Sequence, residues 1–288
     1  MACSVERFLE EVSRKYARPE YLETDPLPIV RRYLRPEDRE VVGLITALLA
    51  YGRVASIRRH VEEVLAPIGD SPAEFVRRFE PGLRATPFLP LRYRFHTGAD
   101  LIRLLSAIGW VLREHGTIES LFVAEEGGTR ERLSAFVRRL REAPVERRPW
   151  SESPGLRFLA PTPDDGGACK RWNLYLRWMA RPDDGIDCGV WKHVSPAELI
   201  VPLDTHLHRI GRRLGLHAAG SPSWAAAERI TDSLRAFDPL DPVRFDFPLC
   251  RLGILSRCPD SGFRTRCSGC ELFERCVRVA QGSDENVR

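Results

Sequence analysis

The sequence predicts an all-α fold, and three observations carry that reading. Apolar residues recur at three- and four-residue spacing along most of the chain, and no run alternates apolar and polar residues as a half-buried strand does. Short stretches bearing proline and glycine punctuate the periodic ones, as at Pro67-Ile68-Gly69-Asp70-Ser71-Pro72 and Glu80-Pro81-Gly82.

The amphipathic period predicts helices over 5–16, 41–49, 57–65, 101–112 and 133–140. Residues 142–167 carry Pro144, Pro149, Pro154, Pro161 and Pro163 and read as a connecting loop between helical lobes. The helical period then returns over 170–180, 205–214, 224–237 and 245–255, with Gly215 ending the second of these. A cysteine-rich loop over 250–278 closes the predicted structure, and the whole chain, 1–288, reads as one unit.

With 43% hydrophobic and 29% charged residues the chain has the composition of a globular protein. Its apolar runs fall short of the roughly 20 residues of a membrane span, and the N-terminal segment lacks a secretory pattern, so a soluble, cytoplasmic monomer is expected. A formal net charge of +4 permits a polyanionic partner without requiring one.

Lys15, Lys170 and Lys192 are the only lysines among 44 basic residues, the rest being arginine. An arginine stays protonated, whereas a lysine can act as an amine nucleophile, so each retained lysine raises a question of chemistry. Lys170 follows Gly166-Gly167-Ala168-Cys169 and opens a predicted helix. Free amides at such a helix start can hold a phosphate, and the same positive helix end disfavours an ammonium ion. An ordinary solvated lysine is the plain alternative.

Asp204, in Pro202-Leu203-Asp204-Thr205-His206, precedes a strongly amphipathic segment. Its plain reading is a helix cap; its functional reading is an ionised carboxylate that stabilises a cationic transition state or moves a proton. Cys258, Cys267, Cys270 and Cys276 form a third constellation, whose four thiolates suit either a [4Fe–4S] cluster or a tetrahedral zinc. Arg264 and Arg266 are among the basic residues around them, which suits a nucleic-acid backbone.

Taken together, these residues resemble the helix-hairpin-helix DNA glycosylases of the endonuclease III superfamily, over about residues 39–276. Tyr51-Gly52-Arg53, Tyr93-Arg94-Phe95, Lys170-Arg171-Trp172-Asn173, Leu176-Arg177-Trp178-Met179 and Pro202-Leu203-Asp204-Thr205-His206 resemble a prokaryotic family within it. The resemblance implies a two-lobed helical fold that holds double-stranded DNA containing a lesion or abasic site, with one nucleotide turned out of the stack. It implies Lys170 as the amine that attacks C1′ and Asp204 as the assisting carboxylate. Trp172, Trp178 and Trp191 become candidates for the base pocket, Gly166 and Gly167 for the phosphate turn, and Arg53 for a side chain near the vacated stack. The four cysteines become ligands of an iron–sulfur cluster.

Between Lys170 and Asp204 lie 33 residues, including a segment, 183–196, expected to reshape or cover the pocket. The activity expected is base excision with abasic-site lyase chemistry. The alternatives are a non-catalytic iron–sulfur protein that binds unusual DNA structure and a zinc-stabilised scaffold for a protein partner.

Overall fold

The computed structural model describes residues 5–145, 150–218, 220–256 and 265–273, the last stretch in backbone alone for its first two residues. The described chain is mostly helical. In chain order the helices are α1 (Val5–Tyr16), α2 (Leu27–Arg31), α3 (Pro36–Leu48), α4 (Val54–Leu65), α5 (Pro72–Arg77), α6 (Pro81–Arg84), α7 (Gly98–His115), α8 (Ile118–Val123), α9 (Thr129–Glu142), α10 (Pro154–Leu159), α11 (Lys170–Ala180), α12 (Thr205–Leu214), α13 (Trp224–Arg235) and α14 (Asp246–Leu255). Among the described residues no helix is long and apolar enough to cross a membrane.

Two details differ from the sequence expectation. The 142–167 stretch holds α10, started by Pro154 in the first turn and by Ser153, whose side chain accepts from Leu156 N. Between α6 and α7 the chain forms a small antiparallel hairpin, β1 (Arg92–Tyr93) and β2 (His96–Thr97), with Arg92 opposite Thr97 and Tyr93 opposite His96. Strands of two residues leave too short a pattern for alternation to register. Thr97 and Asp100 form a capping box that turns β2 directly into α7.

α3 is the central helix. From Val41 to Leu48 every residue is buried, and α11 packs across it. The two backbones approach at Gly43, where a methyl group would sit 2.7 Å from Met179 Cε. α14 packs on both α12 and α1. Helices from the two ends of the chain thus lie together, joined also by ion pairs of Arg244 with Glu10 and of Lys15 with Glu271.

The 183–196 segment completes the lower end of α11. A helix leaves its last four carbonyls without intrahelical donors, and here Cys188 N–H donates to Trp178 O and Trp191 N–H to Met179 O, each at 2.8 Å. Asp187, fully buried, receives Arg177 of α11 and Arg181, the residue that caps it. None of residues 183–196 lines the central cavity, so this segment braces the far end of α11 and does not cover the pocket.

A lysine and a carboxylate in one cavity

A cavity of about 660 Å³ opens between the start of α11, the start of α12, α14 and the α3–α4 turn. Lys170 is the first residue of α11, set there by Cys169, whose φ of 46° breaks the chain direction at the helix start. Asp204 caps α12, its Oδ1 accepting from Leu207 N at 2.8 Å. Its other oxygen, Oδ2, lies 3.7 Å from Lys170 Nζ. The lysine side chain is 40% exposed and the carboxylate 17%, so the pair sits at the cavity wall with the amine on the open side. The aspartate is both a cap and a partner of the lysine.

The cavity also separates the lysines. Of the three, Lys170 alone lines it; Lys15 pairs with Glu271, and Lys192 donates to Gly189 O at 2.7 Å.

Behind Asp204 stands Cys250 of α14. Cys250 Sγ lies 3.8 Å from Asp204 Oδ1 and 3.5 Å from Asp246 Oδ1, close enough for its one S–H to serve either carboxylate. Burial, then the two carboxylates, push the thiol well above its ordinary pKa, so it stays protonated. Asp246 pairs in turn with Arg177, which also holds Asp187, 3.2 Å from its Nε. Side-chain contacts therefore run from Asp204 through the neutral Cys250 thiol to Asp246, Arg177 and Asp187 of the 183–196 segment. On the cavity's other wall Arg251 is paired with Asp25 at 3.0 Å and lies over the Phe247 ring. Asp25, Asp246, Phe247 and Arg251 were not legible as site residues, because each reaches the cavity through partners distant in sequence.

The three tryptophans expected at a base pocket are buried in the core of this structure. Trp172 and Trp178 are 0% exposed, Trp191 is 3% exposed, and none lines the cavity. Trp172 donates to Pro161 O at 2.9 Å and meets Phe136 edge-on. Trp191 donates to Glu40 Oε1 at 2.6 Å; burial raises the Glu40 carboxyl to about 6. Tryptophans spaced along a helix that crosses the central α3 face the core, while the amine at the end of that helix faces out.

Gly167 lines the cavity beside Lys170. Gly166, at φ 76°, has open space where a side chain would be, and its carbonyl accepts from Trp224 N. Arg53 is exposed just before α4, beside Gly52 of the cavity rim. Cys267 is buried and Cys270 half-buried in one 3-10 turn, with Cys270 N–H donating to Cys267 O at 2.9 Å. Cys258, Cys276 and Arg264 lie outside the described residues, as does the Arg266 side chain. Among the described residues no group of three or more His, Cys, Asp or Glu side chains is arranged to hold a metal.

Fold and site define a mostly helical protein whose cavity presents an amine and a carboxylate to each other. Over residues 25–255, four-fifths of its length, the chain matches the family described as protein of unknown function (DUF2400), and it belongs to that family. No match to a curated protein or to a solved structure was found.

Proposed function

We propose that the protein is a DNA glycosylase with abasic-site lyase activity, acting on duplex DNA that carries a damaged base. The observation that supports this most is the 3.7 Å approach of Lys170 Nζ to Asp204 Oδ2 inside a cavity, across 33 residues of sequence. A solvated lysine and a mere helix cap have no reason to converge there.

In this reading a nucleotide leaves the stack and enters the cavity. Asp204 is the nearest base for the proton that the Lys170 ammonium must shed. The amine then bonds C1′ of the deoxyribose as the glycosidic bond breaks, and the electron pair of that bond leaves with the base. Ring opening gives an iminium between Lys170 and C1′. Loss of a C2′ proton expels the 3′ phosphate and cuts the strand, after which water releases the lysine. A guanidinium could not take this part, which suits a lysine here in a chain whose other basic residues are nearly all arginine.

Cys258, Cys267, Cys270 and Cys276 are the residues that would hold a [4Fe–4S] cluster, or zinc in its place. Such a group would supply folding free energy to a loop with little apolar material and no chemistry on the base. The CxxC turn at Cys267 and Cys270 suits two neighbouring ligands of either metal.

The test is a panel of duplexes, each carrying one lesion or one abasic site. The reading expects release of a base from at least one lesion and strand cuts with β-elimination ends at the abasic site. Failure of every duplex, the abasic one included, would overturn it.

A further inference from the structure

The β1–β2 hairpin carries the Tyr93-Arg94-Phe95 segment, which the lysine–carboxylate cavity does not use. Its two-residue loop is Arg94-Phe95. Arg94 holds a φ of 51°, a left-handed conformation that such loops usually give to glycine, asparagine or aspartate. Phe95 is 58% exposed although its ring lies 4.5 Å from that of Phe158 and 6.1 Å from that of Tyr51. An aromatic ring is thus kept in solvent at a turn whose other residue, Arg94, holds a left-handed backbone.

The hairpin is bolted to the rim of the cavity. Tyr93 OH donates to Tyr51 O at 2.8 Å, and Tyr51 OH donates to Tyr93 O at 3.1 Å. His96 bonds Tyr51 from the side, and His60 both bonds His96 at 3.0 Å and stacks on Tyr93. Gly52 completes the joint, since at its φ of 105° a methyl group would lie 2.7 Å from Tyr93 OH. Tyr51 and Gly52 line the same cavity as Lys170. Arg53, Arg92 and Arg94 are exposed around this joint, with no ion pair to any described residue. An exposed ring framed by unpaired arginines matches a nucleic-acid strand, whose bases stack on aromatics and whose phosphates attract guanidinium groups.

From this geometry we infer that Phe95 is a stacking platform for the nucleobase left unpaired when the nucleotide opposite it has entered the cavity. Arg53, Arg92 and Arg94 hold the backbone on either side. The inference rests on the DNA reading above and adds to it a second contact, made to the strand that is not cut.

It is tested with a duplex carrying 2-aminopurine opposite a tetrahydrofuran abasic analogue, which binds without reacting. Binding is followed by anisotropy of a distant dye and stacking by 2-aminopurine fluorescence. Wild type should quench the fluorescence at saturation. Phe95→Ala should lose the quench and about tenfold in affinity for this duplex, with unchanged affinity for a fully paired one. Phe95→Trp should restore both. Equal quenching by wild type and Phe95→Ala, or no quenching by bound wild type, would overturn the inference and leave the glycosylase reading standing. No binding by wild type at all would remove both.

Discussion

Lys170 Nζ stands 3.7 Å from Asp204 Oδ2, and the two residues mark the starts of the consecutive helices α11 and α12. The pair sets a carboxylate within reach of the amine at the cavity wall. Its surroundings yield separate predictions.

The core assignment of the tryptophans predicts a loss of stability and no change in what is bound. Trp178→Ala should cost about 3–5 kcal/mol in urea unfolding, in the range for emptying a large buried aromatic site. DNA preference measured on the folded fraction should stay that of wild type. A variant of full stability with altered preference would return Trp178 to the pocket.

His96 predicts a pH dependence of stability. Burial, then the neighbouring His60, lowers its pKa to about 4. The unfolded chain takes up that proton near pH 6.5, so the unfolded state binds more protons below that pH. Stability present above pH 6.5 should fall as the pH drops toward 4, by about 3 kcal/mol from this group. His96→Gln cannot titrate and should show a correspondingly shallower fall in urea midpoint over the same range. Parallel curves for the two proteins would refute the assignment.

Cys250 predicts a silent thiol. Held above its ordinary pKa by burial and by Asp204 and Asp246, it should resist iodoacetamide at pH 8 in the native protein and react in urea. Peptide mass spectrometry after timed labelling reads this. Rapid native labelling at Cys250 would show that the thiol is not enclosed between the two carboxylates.

Much of the fold was legible because helix periodicity is local. The spans 170–180 and 205–214 coincide with α11 and α12, for the Lys170 and Asp204 helix starts carry their own punctuation. The β1–β2 hairpin and α10 were not legible, being too short to show a period. In the site, Lys170 and Asp204 could be singled out by type and context. Cys250 and Asp246 could not, because their importance comes from a contact across 46 residues between Cys250 and Asp204. For Trp172 and Trp178, likewise, sequence gives the spacing along α11 but not which face of that helix meets α3.

The most direct test of the central claim is borohydride trapping on duplex DNA with a single abasic site. Wild type should form a covalent protein–DNA complex, because borohydride reduces the iminium between an amine and C1′. Lys170→Gln should form none while still binding the duplex, Lys15→Gln and Lys192→Gln should trap as wild type does, and Asp204→Asn should trap more slowly by roughly two to four decades. Trapping by Lys170→Gln at the wild-type level would contradict the account.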